Sequence, residues 1–289
     1  MANIIGIIGG SGLYEMESLT GVEEVVVDTP FGATSDAIIK GNLGDATLYF
    51  LPRHGRGHPL LPSEVPYRAN IWALKKLGCQ RILSVSAVGS MKEEIAPGHM
   101  VIPDQFIDWT KTRKSTFFGE GCVVHVSYGD PVCPALGDAL EAACKEVGVT
   151  VHRGGTYICM EGPQFSTKAE SNLYRSWGVS VIGMTNATEA KLAREAELSY
   201  ATLALSTDYD CWHEGHDEVT VEEVIKVLLQ NVANAKKILQ AVVPRIPSTQ
   251  EVPVPSAIAN AIITAPEKIP AETRKRLDLI IGRYLPSDD

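Results

Sequence analysis

Short apolar runs alternate with helix-like segments through the second half of the chain, and this alternation constrains the fold more than any other feature. Strands are predicted at residues 149–159, 179–184 and 198–207, and helices at residues 135–147, 168–177 and 187–197. Parallel strands need crossover connections of this kind, so the pattern indicates an α/β fold with a largely parallel sheet flanked by helices. Residues 22–51 instead alternate strands with turns, as in an antiparallel meander, which makes the predicted sheet mixed.

The chain has 289 residues, of which 45% are hydrophobic, and this is enough for one sizeable core. We predict a single α/β domain over residues 1–243, closed by a long amphipathic helix with a capping-box pattern at its start. Four prolines between residues 244 and 255 indicate a stiff linker. Helical runs predicted at 256–263 and 271–284 then form a C-terminal extension, which must pack on its own domain or on a neighbouring subunit.

Charge and hydropathy exclude several classes of function. The formal net charge is −9, which disfavours general nucleic-acid binding because phosphate backbones attract basic surfaces. No stretch approaches the ~20 apolar residues of a membrane span, and the N-terminus carries no basic region or cleavage site. We therefore expect a cytoplasmic protein without membrane or nucleic-acid partners.

The six cysteines lie in apolar segments without Cys-x-x-Cys spacing, which favours free thiols over a disulfide framework. Cys211 lies close in sequence to His213 and His216, but no fourth ligand is near. A solvated loop explains these three residues better than a metal site, and no metal is predicted.

Two carboxylates, Asp208 and Asp210, directly follow the apolar run at 198–207. In open α/β sheets ligands bind beyond the carboxyl ends of the strands. The two acids suit a ligand that offers several N–H donors and needs a proton, such as an aminopurine. Taken alone, they also fit a polar turn that closes a core strand.

Other strand ends carry hydroxyls and positive charge. The loop at 9–12 includes Ser11 and fits a phosphate cradle, although Glu15 breaks the dinucleotide-binding fingerprint. Further polar groups are predicted at the ends of three more strands, namely Arg53-His54, Ser86 and Met184-Thr185. Arginine suits bidentate contact with phosphate. The sequence thus predicts a site with a phosphate half and, at the acids, a base half.

Seven motifs in a fixed order extend over residues 3 to about 243. They are GIIGGSGL at 6–13, VDTPFG at 27–32, RHGR at 53–56, NIWALK at 70–75, DQFID at 104–108, EGPQFS at 161–166 and TDYDCW at 207–212. As a set they are highly specific. The chain resembles the 5′-methylthioadenosine phosphorylases, in the trimeric branch of the purine nucleoside phosphorylase family.

This resemblance implies cleavage of the N-glycosidic bond of 5′-methylthioadenosine by inorganic phosphate, which gives adenine and 5-methylthioribose 1-phosphate. Phosphate is then a co-substrate, and no cofactor is needed. The resemblance also implies a homotrimer or a dimer of trimers. Residues 244–289 lie beyond the well-matched region, and we expect them to pack across the subunit interface.

The family's site residues map onto this sequence position by position. Those implied to hold phosphate are Ser11, Arg53, His54, Ser86, Ala87 and Thr185. Those implied to hold the nucleoside are Met184 at the ribose, Phe165 and Ser166 beside the base, Asp208 at N7 and Asp210 at the 6-amino group, Val221 and Val224 at the methylthio group, and His125 donated by the neighbouring subunit. A protonated Asp208 would neutralise the leaving purine, since burial and a second carboxylate raise the pKa of such an acid.

The sequence leaves three alternatives. A phosphorylase that prefers adenosine, inosine or methylthioinosine is disfavoured by Asp208, Val221 and Val224. Members of the family that cleave 6-oxopurines carry Asn at the position of Asp208 and Glu at that of Ser166. A hydrolytic nucleosidase is disfavoured by Arg53 and the hydroxyls around it. A nucleoside-binding protein without catalysis is disfavoured because every proposed position holds a competent residue. Serine replaces the family's common threonine at Ser11 and Ser86.

Overall fold

A computed structural model describes residues 3–10, 12–213, 221–246 and 256–286. The strands in these ranges are β1 (Asn3–Gly9), β2 (Thr20–Val25), β3 (Ile38–Leu43), β4 (Ala46–Pro52), β5 (Arg81–Ser90), β6 (Met100–Ile102), β7 (Gln105–Trp109), β8 (Val151–Arg153), β9 (Thr156–Met160), β10 (Val181–Gly183) and β11 (Ser199–Asp208). The helices are α1 (Tyr67–Lys76), α2 (Pro134–Val147), α3 (Lys168–Ser176), α4 (Asn186–Glu195), α5 (Val221–Val242) and α6 (Ala271–Ile281). The predicted α/β architecture with a mixed sheet flanked by helices is confirmed.

The strands form one mixed sheet centred on β5. Strands β1 and β11 lie on either side of β5 and are parallel to it, and β1 is also parallel to β4. The meander predicted for residues 22–51 is present as β2, β3 and β4, which pair antiparallel. Farther out, β9 is parallel to both β10 and β7, while β11 pairs antiparallel with the short strand β6.

The sheet divides at the end of β5. Its first residues lie between β1 and β11, whereas Gly89 and Ser90 pair antiparallel with Ile182 and Val181 of β10. The predicted strand stopped at Ser86, with a loop after it. This was wrong, because β5 continues to Ser90 in order to join the two parts of the sheet.

Helices cover both faces of the sheet, as buried strands require. Along β1, Ile7 belongs to the apolar cluster under α2 and α5, and the next residue, Ile8, belongs to the cluster under α1, α4 and α6. Neighbouring side chains on a strand point to opposite faces, so the run at 4–8 supplies both layers of core. Of the helices in the described ranges, none has the combination of length and apolarity needed to cross a bilayer.

Local sequence explains several element boundaries. Helix α3 begins with a capping box, in which Glu170 N–H donates to Thr167 Oγ1 at 3.2 Å and the Glu170 carboxylate accepts from Thr167 N–H at 2.8 Å. The single strand predicted at 149–159 is instead two strands. Gly154 and Gly155, with φ of 87° and 98°, turn the chain between β8 and β9.

The C-terminal extension packs against the α/β domain of its own chain. Leu277, Ile280 and Ile281 of α6 are buried in the same cluster as Ile71 of α1. The helix predicted at 271–284 is confirmed over 271–281 and ends in a 3₁₀ turn. The helix predicted at 256–263 was wrong, because these residues form turns and a bridge between Val124 and Ile262.

Candidate active site

The two acids meet where β11 leaves β5. Ser206 pairs with Val88 and Asp208 with Gly89, so Thr207 is an extra residue that forms a β-bulge. The bulge lets the Thr207 hydroxyl donate to Asp208 Oδ2 at 2.6 Å, while the main-chain N–H of Asp210 donates to Asp208 Oδ1 at 2.8 Å. Each oxygen of Asp208 therefore has one neighbour that fixes it and one lone pair left for a ligand.

Burial raises the pKa of both acids above their ordinary values. For Asp208 the charge of Asp210 adds to this effect, and the hydrogen bonds from Thr207 and Asp210 oppose it. For Asp210 the opposing contacts come chiefly from Ser171 and Cys211, with Ser166 also donating to the carboxylate. A carboxyl group held in this way keeps its proton at a higher pH than an exposed one, as a general acid requires.

The base half is completed by the loop between β9 and α3. The Cys211 thiol donates to the main-chain oxygen of Ser166 at 3.3 Å, which fixes this loop beside the acids. Phe165 is 54% exposed, so its ring is available to a planar ligand. The structure thus brings together Ser166, Asp208 and Asp210 as predicted.

Gly89 makes room for the acids. A Cβ built on Gly89 would lie 2.9 Å from Asp208 Oδ1 and 3.5 Å from Asp210 Cβ. The carboxylates therefore pass directly over the main chain of β5, at a position where a side chain would displace them.

Arg53 follows β4 and is buried, with 4% of its surface exposed. Its Nε–H and one Nη2–H donate to the carboxylate of Glu189, and further contacts run to Val85 O at 3.0 Å and to Ser84 Oγ at 2.6 Å. Burial disfavours the charged form of Arg53, but the negative charge and hydrogen bonds of Glu189 have the larger effect, so the pKa of Arg53 is raised. The two N–H groups of Arg53 that could bind phosphate in a bidentate way thus bind Glu189 instead. Of the five N–H donors of Arg53, one remains after its contacts with described residues.

His54 is neutral at physiological pH. Burial, together with the charge of Arg53, lowers the pKa of His54 to about 4. Its Nδ1 lies 2.8 Å from the oxygen of Leu60, which can only accept, so Nδ1 carries the hydrogen and Nε2 is an acceptor. The ring also stacks on His58 at 4.2 Å.

Ser86 and Thr185 belong to one buried polar group. The Tyr157 hydroxyl contacts Ser86 and the main chain at Thr185, and it donates to Asn186 Oδ1 at 3.2 Å. Thr185 Oγ1 donates to the same oxygen at 3.1 Å. Thr185 is also the residue before α4, whose positive N-terminal end favours an anion. Ser86 and Thr185 therefore belong to one hydrogen-bonded group, and their contact with phosphate stays a prediction.

Two positions fix the scale of the site. Met184 lies beside the β9 loop, since a Cβ on Gly162 would approach Met184 Sδ to 2.5 Å. Ser86 of the phosphate half and Gly89 beneath the acids are three residues apart on β5, which corresponds to about 10 Å.

The family model described as the phosphorylase superfamily matches residues 4–244. The chain belongs to the phosphorylase superfamily. The matched region ends close to the predicted domain boundary at 243, and the C-terminal extension lies outside it.

Two similar relatives carry the same name. The S-methyl-5'-thioadenosine phosphorylase of Geobacter sulfurreducens is 64% identical over 286 residues, which are 99% of this chain and 100% of the relative. The enzyme of the same name from Koribacter versatilis is 58% identical and covers 97% of this chain and 96% of its own.

Solved structures agree with these relatives. A methylthioadenosine phosphorylase from an antarctic soil metagenomic library has a TM-score of 0.92 and 50% identity, with 96% of this chain and 98% of that chain covered. A variant of the adenosine/methylthioadenosine phosphorylase from Schistosoma mansoni, solved in complex with methylthioadenosine, has a TM-score of 0.78 and 38% identity and covers 83% and 90%.

Some predicted site residues are not joined to the two halves by any described contact. His125 is exposed in the long excursion at 110–134, and its main-chain N–H donates to Ala261 of the extension at 2.9 Å. It borders a cavity of about 320 Å³, lined also by Ser127, Arg194, Ser256, Ala257, Asn260 and Ala261. Ser11 and the side chains of Val221 and Val224 lie outside the described residues.

Sequence reasoning missed the residues beneath the phosphate half. Glu189 accepts from Arg53, from Ser84 Oγ at 2.8 Å and from Tyr200 OH at 2.9 Å. Asn186 Nδ2, with its two N–H groups, lies within hydrogen-bond distance of the hydroxyl oxygens of Ser84, Tyr200 and Thr202. These side chains come from β5 and, about a hundred residues later, from α4 and β11. Glu189 and Asn186 do stand beside Met184-Thr185, and this was the available signal.

Proposed function

We propose that this protein cleaves 5′-methylthioadenosine with inorganic phosphate, giving adenine and 5-methylthio-D-ribose 1-phosphate. One observation carries the proposal: a half-buried pair of acids with raised pKa values lies about 10 Å along β5 from the hydroxyl group of Ser86, which is hydrogen-bonded within one polar group with Thr185. The names of the relatives support the same reaction.

In the reaction the bond from C1′ to N9 breaks, and its electron pair passes to the purine. Asp208 delivers its proton to N7, which neutralises the leaving group, and Asp210 accepts a hydrogen bond from the 6-amino group. An oxygen of phosphate attacks C1′ and forms the new bond. Met184 contacts the ribose, and Phe165 and Ser166 border the base.

At the other end of the site, phosphate is held by Ser11, Arg53, His54, Ser86, Ala87 and Thr185. Arg53 is neutralised by Glu189, and His54 is uncharged before phosphate binds. Phosphate is therefore held by hydrogen bonds from fixed groups more than by net positive charge. Such preorganised groups stabilise charge without rearranging during the reaction.

We assign the methylthio group to Val221 and Val224, because their spacing of three in the sequence suits two contacts with one apolar group. An apolar pocket favours a thioether over a hydroxyl, because a buried unpaired hydroxyl costs ~1–3 kcal/mol. The exposed His125 reaches the same pocket of a neighbouring subunit. This assignment requires the homotrimer, or a dimer of trimers, and we place the enzyme in the cytoplasm.

The test is release of free base from methylthioadenosine and from inosine, each with and without phosphate. Phosphate-dependent release of adenine, with little hypoxanthine from inosine, is expected. Adenine release without phosphate would identify a nucleosidase and contradict the roles of Arg53 and Ser86. Preferential cleavage of inosine would identify a 6-oxopurine phosphorylase and contradict the role of Asp208.

A further inference from the structure

Arg113 is a buried cation in the long excursion at 110–134, and the reaction described above does not use it. Its side chain is 1% exposed. The guanidinium packs over the ring of Tyr67, with 5.6 Å between its carbon and the ring centroid. A fully buried arginine side chain needs hydrogen-bond acceptors for its N–H groups, and the positions of these acceptors indicate what Arg113 holds in place.

The two terminal nitrogens of Arg113 contact main-chain oxygens at the ends of two strands. Nη1 donates to the oxygen of Met184, just after β10. Nη2 donates to the oxygen of Glu161 at 2.8 Å and to that of Met160 at 3.4 Å, at the end of β9. Strands β9 and β10 pair in parallel through Gly183 and Cys159, so their ladder ends one residue before these oxygens. Arg113 thus joins the two strands where their own pairing stops.

The Nε side of the guanidinium is fixed separately. Nε–H lies 3.2 Å from Glu161 Oε1 and 3.2 Å from Ser63 Oγ. Burial of Glu161 favours its neutral form, but hydrogen bonds from Ser63 and from the main-chain N–H groups of Lys111 and Thr112 outweigh this and lower the pKa of Glu161 to about 2. Glu161 is therefore ionised at neutral pH and holds the cation in one orientation.

We propose that Arg113 is a positioning residue for the nucleoside, one that sets the spacing between Met184 at the ribose and the Phe165–Ser166 loop at the base. This inference rests on the proposed function. Met184 follows β10 directly, and the loop follows Glu161 directly, so a change in the Arg113 contacts moves both. Among the described residues, the contacts of Arg113 do not include the side chains of Arg53, His54, Ser86 or Thr185. The phosphate half therefore keeps its side-chain contacts, and only Thr185 adjoins a contacted group, through its peptide bond to Met184.

A lysine at 113 would keep the charge but lose this function. Its ammonium is a point charge with three donors on a flexible stem, whereas the planar guanidinium reaches both strand ends at once. Arg113→Lys therefore separates a role in positioning from a role in charge alone. Ser63→Ala removes one contact on the Nε side and leaves all three main-chain oxygens bound.

The test measures binding of methylthioadenosine and of inorganic phosphate separately, by calorimetry, in the wild type, Arg113→Lys, Arg113→Met and Ser63→Ala. We expect Arg113→Lys to raise the Kd of methylthioadenosine at least about tenfold and that of phosphate by less than about twofold, since misplacement of contact groups weakens only the ligand they hold. In Ser63→Ala the Kd of each ligand should stay within about twofold of the wild-type value. Arg153→Lys, on the distant strand β8, is the matched control.

Equal weakening of both ligands, or unchanged binding with a lower Tm, would make Arg113 a structural residue only and would overturn the inference. Unchanged binding and unchanged Tm would overturn it as well. If Arg113→Met does not fold, the result for Arg113→Lys alone tests the inference. Because binding is measured without turnover, a failure of the proposed reaction is seen separately, as absence of phosphate-dependent adenine release by the wild type. The KM of methylthioadenosine should rise in parallel with its Kd while the KM of phosphate does not.

Discussion

The main-chain N–H of Asp210 donates to Oδ1 of Asp208 at 2.8 Å, so the second acid holds the first in place while its own carboxylate contacts Ser166. The two acids therefore have different contacts, and the proposed reaction assigns them different roles. In that proposal Asp208 protonates N7, and Asp210 accepts a hydrogen bond from the 6-amino group.

Asp208→Asn should lower kcat/KM for methylthioadenosine by about 10²–10⁴, because an amide cannot deliver a proton to N7. Inosine should lose less activity, since the amide N–H can donate to a 6-oxo group. The measurement is the ratio of adenine to hypoxanthine released under identical phosphate. An equal loss for both nucleosides would show that Asp208 does not discriminate between the bases.

Gly89→Ala should lower kcat/KM for the nucleoside by about 10–10², because displacing a catalytic group by a fraction of an ångström is costly. The added Cβ would lie 2.9 Å from Asp208 Oδ1, and one hydrogen bond to each oxygen holds the Asp208 carboxylate in place. Gly129→Ala is the matched control, since a Cβ there meets nothing within 4 Å. Equal activity of the two variants would exclude close passage of the acid over β5.

The KM of phosphate should rise as the pH increases from 7 to 9. His54 is neutral, with a pKa of about 4, and its Nε2 can only accept a hydrogen bond. Bound phosphate must therefore supply an O–H, which the monoanion has. Inorganic phosphate in solution loses this proton as the pH increases over this range. The limiting slope is about tenfold per pH unit for one proton. His54→Gln supplies an amide donor for the dianion and should flatten the dependence. A KM independent of pH in the wild type would contradict this protonation state.

The stability of the fold should fall as the pH rises from about 4.5 to 7, in part because of Glu195. Burial raises the pKa of Glu195 to about 7, so in this window the folded state binds a proton that the unfolded state has lost. The contribution is present below the unfolded pKa and is lost on passing the folded pKa. It amounts to a few kcal/mol, at about 1.4 kcal/mol per pKa unit.

Denaturation by urea at pH 5 and at pH 7.5 measures this effect. Glu195→Gln keeps an acceptor for the Phe117 N–H, which lies 2.7 Å from the carboxylate, and should reduce the difference between the two pH values. Asp208→Asn serves as the comparison, because it removes a different carboxyl group with a raised pKa. An unchanged difference in Glu195→Gln would show that other groups cause the pH dependence.

Much of the fold could be predicted because the apolar pattern repeats with the period of each element. The alternation of strands and helices gave the mixed, largely parallel sheet, and the predicted α2 and α3 correspond closely to those observed. The extension of β5 to Ser90 could not be predicted. It depends on pairing with β10, which lies about ninety residues later and has no local signal.

The structure groups Ser166 with Asp208 and Asp210, and it groups Ser86 with Thr185, whereas His125 lies beside the C-terminal extension. What could not be predicted is how each half is held. The pairing of Arg53 with Glu189 and that of Arg113 with the ends of β9 and β10 both join residues far apart in sequence. A motif shows which side chains are present, but their remaining hydrogen-bonding capacity depends on neighbours that only the folded chain supplies.

The carboxylate of Glu197, just before β11, accepts hydrogen bonds from Ile258 N–H and Tyr284 OH, at 3.1 and 2.6 Å. These two partners leave the ribosome more than fifty residues after Glu197 itself. The same is true of the apolar face of α6, which covers Ile71. During synthesis the strand that carries Asp208 therefore emerges before the groups that secure its first residues. Folding of this enzyme is completed only when the extension has emerged, so a nascent chain cannot assemble its finished core in advance of its tail.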